Sequence, residues 1–174
     1  MIMPKRSAGE IAIVAVSGVK DSGKTTLLTR ILPLLRERGL RVAVVKHDGH
    51  DFEPDMEGTD SYRLREAGAE GVAVYSSRKW MLVREQAVSL KDLIGCFRDM
   101  DLVLLEGGKH SSLPKLELVR DGVSERSVCD PSTLLALCTN TSAYVEGVPC
   151  LGLEEYGKIV DLIVGFLGKG TRAQ

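Results

Sequence analysis

Residues 11–39, IAIVAVSGVKDSGKTTLLTRILPLLRERG, are the stretch that decides the fold. The segment IAIVAVS (11–17) is rich in apolar and β-branched residues, which is typical of a strand buried on both faces of a sheet. Residues 25–39 then place leucine and isoleucine at helical spacing and end at Gly39, so they predict an amphipathic helix with a glycine stop. The loop 18–25 connects this strand to this helix.

The connecting loop GVKDSGKT (18–25) matches the phosphate-binding (Walker A) pattern G-x-x-x-x-G-K-[ST] in full. Its glycines, Gly18 and Gly23, let successive backbone N–H groups face one phosphate, and the helix N-terminus adds partial positive charge. Lys24 supplies a full charge for the outer phosphates, and Thr25 offers a hydroxyl to Mg²⁺. A chance match is the alternative, but the strand before and the helix after favour a nucleoside triphosphate site.

The composition is that of an ordinary globular protein. Its length suits one domain, so we expect residues 1–174 to form a single nucleotide-binding domain. A formal net charge of −1 argues against binding to nucleic acid or to a membrane surface. No segment reaches about 18 apolar residues without a charge, so we expect no membrane span. Four cysteines without a C-x-x-C pair fit a reducing cytoplasm.

The start of the chain imitates a secretory signal, because Lys5 and Arg6 precede the apolar run. Cleavage after that run would remove the first strand of the fold. We therefore expect a cytoplasmic protein.

Apolar strands and helical patterns alternate along the rest of the chain. Strands are predicted at 41–48, 71–77, 101–108, 133–139 and 149–153, a short edge strand at 78–85, and helices at 61–68, 89–100 and 154–168. This alternation predicts an α/β fold of the P-loop NTPase type, a mostly parallel sheet with flanking helices. The segment PKLELVRDG (114–122) alternates apolar and polar residues, so we expect a half-exposed strand and an antiparallel hairpin excursion near 114–128.

Ligands of a parallel sheet bind beyond the carboxyl ends of its strands, so residues that directly follow strands are functional candidates. Glu106 ends the strand in 101–108, where a carboxylate would hold Mg²⁺ directly or through water; a solvated carboxylate is the alternative. Asp48 follows the second strand and is a rival metal ligand or a residue that orients attacking water. We therefore assign catalytic roles to Lys24 and Asp48, and metal binding to Thr25 and Glu106.

Two further patterns leave alternatives open. The imidazoles of His47 and His50 fit either a Zn²⁺ site or a polar loop over the nucleotide, and the missing third ligand favours the loop. The base is not identified, because the N-K-x-D element of guanine recognition is absent. The single asparagine, Asn140, is followed by Thr-Ser-Ala.

Four segments carry a resemblance to a known family. In chain order they are GVKDSGKTTLL (18–28), KHDGHDF with GTDSYRLREAGA (46–52 and 58–69), DLVLLEGGK (101–109) and PKLELVR (114–120). Together they resemble the MobB family, molybdopterin-guanine dinucleotide biosynthesis protein B. The resemblance implies a cytoplasmic homodimer that binds GTP and Mg²⁺ and has weak GTPase activity. It also implies a MobA-type molybdopterin guanylyltransferase as partner and a molybdopterin-type ligand.

The resemblance implies roles for individual residues as well. The phosphates and Mg²⁺ would be held by Gly18, Ser22, Gly23, Lys24, Thr25 and Thr26. Separately, Lys20 resembles the signature lysine of dimeric metal-handling and partitioning NTPases, which acts across the dimer, but it is displaced by one position from their K-G-G pattern. The loop beside the nucleotide would contain His47, His50, Asp51, Asp60 and Ser61. Glu106 and Gly107 would form the Walker B-like end, and Lys109, Lys115 and Arg120 would line an adjoining basic surface. The chain departs from the family pattern at Gly49, Gly108 and Thr139-Asn140.

Two other functions compete with a GTP-binding accessory protein. A small-molecule kinase would transfer the γ-phosphoryl group and would need an arginine-bearing lid, for which Arg120 and Arg126 are the candidates. A non-catalytic module would use nucleotide occupancy only to control docking of a partner.

Overall fold

The computed structural model describes residues 11–50 and 52–169. The chain divides into two compact units, one formed by the segment up to His47 together with the segment from Leu93 onward, and a second formed by Asp48–Asp92. We describe each unit by itself. The expectation of a single domain over residues 1–174 stays a prediction.

Strands and helices alternate along much of the described chain. The strands are β1 (Ala12–Gly18), β2 (Val42–Lys46), β3 (Gly71–Tyr75), β4 (Trp80–Arg84), β5 (Leu102–Glu106), β6 (Lys115–Val119), β7 (Leu134–Thr139) and β8 (Cys150–Gly152). The helices are α1 (Lys24–Glu37), α2 (Asp60–Glu66), α3 (Leu90–Gly95) and α4 (Tyr156–Lys169). Within the described residues, no helix combines the length and the apolar character needed to cross a membrane.

The larger unit contains a six-stranded sheet in the order β2-β5-β1-β6-β7-β8, with every neighbouring pair parallel. The predicted P-loop-type parallel sheet is therefore confirmed. Strand β1 lies near the centre, and its last residues are flanked by β5 on one side and β6 on the other. This order brings the ends of three strands together around the loop that follows Gly18.

Helices α1 and α4 pack with one face of this sheet into the hydrophobic core. Leu28 and Ile31 of α1 and Ile163 of α4 lie in one buried cluster with Val14 and Leu104 of the central strands. The helical spacing of these apolar residues places them on one stripe of each helix, which explains the burial. The core thus fixes the start of α1 against the end of β1.

The structure corrects the expectation for residues 114–128. Strand β6 is fully buried and runs parallel between β1 and β7, so it is neither half-exposed nor part of a hairpin. Its polar residues face the side opposite to the core cluster and are satisfied there by hydrogen bonds. Glu117 accepts from Val128 N at 2.7 Å and from the Ser127 hydroxyl, and Lys115 Nζ donates to the Ser111 carbonyl. The alternation of apolar and polar residues in β6 therefore corresponds to two buried faces, one apolar and one polar, and not to one buried and one solvent-exposed face.

The antiparallel hairpin lies in the smaller unit, where β3 pairs with β4 in a separate two-stranded sheet. Helix α2 of this unit is capped by Thr59, whose hydroxyl accepts from Tyr62 N. Arg65 joins α2 to the flanking segments, since its guanidinium pairs with Glu53 and with Glu85.

Helix α3 is shorter than the predicted segment 89–100. It ends at Gly95, and the following N–H groups of Cys96 and Phe97 donate to carbonyls three residues back. Glycine is a poor helix former, so the chain leaves the helix as a series of tighter turns.

Candidate phosphate-binding site

The loop between β1 and α1 is tightly closed by backbone conformations that favour glycine. Gly18 has φ +137° and Gly23 has φ +97°. A Cβ at position 18 would lie 2.7 Å from the Leu118 carbonyl oxygen and 2.8 Å from Ser22 Oγ. The carbonyl of Gly23 accepts the Leu27 N–H at 2.9 Å, which begins α1 directly at the end of the loop. Glycines with positive φ at both ends of a loop that leads directly into a helix N-terminus are the conformation that a phosphate-binding loop requires.

We expect Gly18→Ala to destabilise the protein by about 2–4 kcal/mol, because the substitution adds both backbone strain and a clash with fixed backbone. Gly39→Ala is the matched control. Gly39 also has a positive φ, +79°, but a Cβ there meets nothing within 4 Å. Urea unfolding of both variants measures the difference, and equal losses would contradict the tight closure at Gly18.

Lys24 lies across the loop that precedes it. Its ammonium donates to the Val19 carbonyl at 2.6 Å and lies 3.4 Å from the Gly18 carbonyl oxygen. These contacts hold one full positive charge at the mouth of the loop. Lys20 and Thr26 are exposed on either side of the loop, whereas Ser22 is buried within it.

Thr25 and Glu106, the two predicted Mg²⁺ residues, meet in the structure. Thr25 Oγ1 donates to Glu106 Oε1 at 2.8 Å across 81 positions of sequence. The contact exists because β5 lies beside β1, with Val16 opposite Glu106 in the register. Glu106 is only 8% exposed, so its carboxylate is held at the base of the loop rather than in solvent. A hydroxyl beside a carboxylate is a hard-oxygen pair of the kind that Mg²⁺ prefers.

Ser22 supplies an independent test of whether this loop fits a phosphate. Its side chain is fully buried, and its Oγ has no hydrogen-bond partner within the described part of the chain. A buried hydroxyl without a partner is costly, and a ligand oxygen at the loop would satisfy it. With Lys24 and the Thr25–Glu106 pair, the residues present fit a nucleoside triphosphate with Mg²⁺.

Arg120 lies against the loop, whereas the sequence suggested an adjoining basic surface. Its Nε donates to the Ser22 carbonyl at 3.0 Å, and a Cβ at Gly23 would lie 2.7 Å from its Nη2. Sequence reasoning missed this contact because it depends on β6 being the neighbour of β1, which no local pattern reveals.

The other two lysines of the expected basic surface differ from each other. Lys115 is fully buried in β6, so the expectation that it lines a surface is wrong. Its position opposite Ala15 in the central strand explains the burial. Lys109 is exposed and lines a shallow cavity of about 460 Å³, together with His110, Ser111, Ser112, Val128, Asp130, Ser132 and Thr133.

A buried polar cluster that the sequence analysis missed lies beside the end of β1. Ser17 is opposite Glu117 in the register and donates to the Gly107 carbonyl at 2.6 Å. Burial, with the nearby Glu117 carboxylate as a second cause, raises the pKa of the Cys129 thiol to about 12. The thiol therefore stays protonated at neutral pH, which argues against a nucleophilic or metal-binding role for Cys129.

The remaining predicted residues fall in different parts of the chain. His47 follows β2 in the larger unit and donates its backbone N–H to the Glu106 carbonyl at 3.1 Å. In the smaller unit, the Asp48 carboxylate accepts from His50 N at 3.2 Å. Within residues 11–50 and 52–169, no group of three or more His, Cys, Asp or Glu side chains is arranged to hold a metal ion.

Asp60 and Ser61 begin helix α2 of the smaller unit. Asp60 is exposed, and the Ser61 hydroxyl lies 3.3 Å from the Thr59 hydroxyl that caps the helix. Asp51 lies outside the described residues. The roles of Asp48, His50, Asp60 and Ser61 beside a nucleotide stay predictions.

Comparison with known proteins gives a consistent result. The model of the family "Molybdopterin guanine dinucleotide synthesis protein B" matches residues 13–140, which include the loop, Glu106 and Arg120. A molybdopterin-guanine dinucleotide biosynthesis adapter protein of Haemophilus influenzae is 35% identical over 162 residues, covering 91% of this chain and 90% of the relative. The protein of that name in Escherichia coli is 38% identical over 122 residues, covering 67% and 70%.

Solved structures agree with the sequence relatives. A crystal structure of Bacillus subtilis MobB has a TM-score of 0.71 and 29% identity, covering 89% of this chain and 97% of that one. A crystal structure of a molybdopterin-guanine biosynthesis protein B has a TM-score of 0.66 and 29% identity, covering 89% and 98%. Fold and sequence therefore point to the same relatives.

Proposed function

This chain belongs to the molybdopterin guanine dinucleotide synthesis protein B family, and from that premise we propose that it is a GTP-binding adapter protein of molybdopterin guanine dinucleotide biosynthesis. We propose that it works in the cytoplasm beside a MobA-type molybdopterin guanylyltransferase and hydrolyses GTP slowly. The observation that carries the nucleotide part is the 2.8 Å contact of Thr25 with Glu106 at the start of a closed phosphate loop.

The proposed site divides its work among the loop residues. The backbone N–H groups from Gly18 to Lys24 and the Lys24 ammonium would hold the phosphates, while Thr25 and Glu106 would hold Mg²⁺. When bound, Mg²⁺ supplies charge neutralisation at the β- and γ-phosphate oxygens. Preorganised charges and dipoles of this kind favour the charge that develops during phosphoryl transfer. Asp48 is proposed to position water.

The preference for GTP is proposed from family membership. The Asn140 side-chain oxygen accepts from Asp121 N at 2.9 Å, so this asparagine serves the turn after β6. The family, rather than a guanine-recognising motif, therefore supports the choice of base.

We propose that the homodimer forms through the hairpin of the smaller unit. Tyr75, Trp80 and Leu82 share one face of this two-stranded sheet, because Tyr75 is opposite Trp80 and Ala73 is opposite Leu82. Their exposed fractions are 85%, 67% and 55%. Two strands alone are marginally stable in water, and an exposed apolar face with open strand edges favours pairing with a second copy.

The double variant Trp80→Ser with Leu82→Ser is expected to convert a dimer into monomers, because it removes two of the three large exposed side chains that share this face. Sedimentation velocity at matched protein concentrations measures the change. Val88→Ser is the control, since Val88 is 53% exposed but lies outside the hairpin. A dimer that survives the double substitution would rule out this face as the interface.

Reconstitution tests the adapter role. The purified chain, GTP and Mg²⁺ are added to a molybdopterin guanylyltransferase with its molybdopterin substrate, and the guanine dinucleotide product is quantified. We expect more product with the wild-type chain than with Lys24→Ala, and slow release of free phosphate from GTP. A phosphorylated acceptor would instead support the kinase. Equal stimulation by wild type and Lys24→Ala would contradict a role for the nucleotide.

A further inference from the structure

We infer that Arg120 is a positioning residue of the phosphate loop, which it holds in the conformation that offers the Gly23 N–H to a phosphate. The inference rests on the proposed nucleotide site and adds a residue to it. Arg120 directly follows β6, and Leu118 of that strand is opposite Gly18 in the register. The strand order therefore places the arginine beside the loop from a different part of the chain.

The contact of Arg120 acts on one peptide group. Its Nε donates to the Ser22 carbonyl at 3.0 Å. In a trans peptide the C=O and the following N–H point in opposite directions across one rigid plane. Fixing the Ser22 carbonyl toward Arg120 therefore fixes the Gly23 N–H away from it. A loop whose N–H directions are set before binding loses less entropy when the anion arrives.

The fit between Arg120 and Gly23 is close. A Cβ at position 23 would lie 2.7 Å from Nη2 and 3.3 Å from Cζ, so the missing side chain leaves room for the guanidinium. The planar fork of arginine suits this site, whereas a lysine would bring a single ammonium on a flexible stem.

The backbone of Arg120 is itself anchored. Its N–H donates to Ser124 Oγ at 3.2 Å, and its carbonyl accepts from Val123 N and Ser124 N. The Arg120 side chain therefore extends from a hydrogen-bonded turn to the phosphate loop. This arrangement differs from the lid arginine that a kinase would need.

The test compares Arg120→Met, which keeps an apolar stem but removes every donor and the charge, with Arg120→Lys and wild type. Hydrogen exchange of the nucleotide-free proteins reports on the loop. We expect the Ser22 and Leu27 amides, which donate to the Val19 and Gly23 carbonyls, to exchange about tenfold faster in Arg120→Met. The loop opens more often when it lacks the Arg120–Ser22 contact, and about tenfold is the loss associated with one hydrogen bond. The exposed Arg98→Met is the control, and its loop amides should exchange as in wild type.

Calorimetry of GDP and GTP with Mg²⁺ gives a second readout that a general loss of stability would not move. We expect Arg120→Met to bind both nucleotides about tenfold more weakly, while its melting temperature falls by only a few degrees. The tenfold ratio between the wild-type and Arg120→Met affinities should persist in about 1 M NaCl, where the Debye length is about 3 Å. Salt screens charges, but it does not change how a hydrogen bond orients the loop. Arg120→Lys should resemble Arg120→Met there. A ratio that vanishes in salt would reduce Arg120 to a screened charge and overturn the inference.

The two hypotheses fail in distinguishable ways. A wild-type protein that binds no nucleotide would overturn the proposed function, while the exchange experiment would still decide the role of Arg120 in the loop. Unchanged exchange in Arg120→Met, with wild-type nucleotide binding intact, would overturn the role of Arg120 alone.

Discussion

Lys24→Ala is expected to lower the affinity for GTP by about 100-fold or more, since each charge-assisted hydrogen bond to a phosphate contributes about 1.5–3 kcal/mol. The ammonium already lies over the loop, held by the carbonyls of Val19 and Gly18. The positive charge of Lys24 is therefore in place before the ligand arrives, and no other residue of α1 supplies a positive charge at the loop. Isothermal titration with GTP and Mg²⁺ measures the loss.

Arg30→Ala is the matched control for this prediction. Arg30 is an exposed cation on the same helix, so its removal changes the net charge equally without touching the loop. We expect wild-type affinity for Arg30→Ala and a native melting temperature for both variants. Equal affinities of Lys24→Ala and wild type would disprove the phosphate loop as the binding site.

Glu106→Gln is expected to weaken Mg²⁺ binding in the nucleotide complex by about 10–100-fold, the range found when a residue that holds or orients a metal ligand is replaced. Glutamine keeps the volume and an oxygen that accepts from Thr25 Oγ1, so the 8% exposed site stays packed. The negative charge is lost, and hard divalent cations depend on it.

Titration of Mg²⁺ against GTP-loaded protein measures this effect, and chelation with EDTA provides the reference state. Without Mg²⁺ the variant and wild type should bind GTP alike, or the variant more tightly because like charges no longer repel. The exposed Glu146→Gln serves as the charge control. An identical Mg²⁺ dependence for Glu106→Gln and wild type would remove Glu106 from the metal site.

The Thr25–Glu106 contact is the part of the candidate site that the sequence could predict. A glycine loop after one apolar strand and an acid at the end of another predicted that both would meet at the carboxyl edge of a parallel sheet. The prediction succeeded because this edge is common to all strands of such a sheet. It did not require the strand order to be known.

The surroundings of Arg120 and Lys115 could not be predicted from the sequence. Lys115 begins β6 and Arg120 directly follows this strand, so their surroundings depend on its place between β1 and β7. The alternation in PKLELVR suggested a wet face, but Glu117 and Lys115 are buried with hydrogen-bond partners from the segment 111–128. Long-range partners of this kind leave no periodic signal in the local sequence.

The hairpin is a third example of this limit. Residues 71–77 and 78–85 were recognised as strands, but their apolar character suggested a place in the main sheet. They pair with each other instead, with Tyr75 opposite Trp80 on an exposed face. Apolar content alone does not tell which partner a strand buries.

Calorimetric titration of the wild-type chain with GTP and with ATP, each with Mg²⁺, tests the central claim most directly. The account predicts saturable binding of one GTP per chain, at least about tenfold tighter than ATP, equivalent to ~1.4 kcal/mol. Binding of neither nucleotide, or tighter binding of ATP, would contradict it.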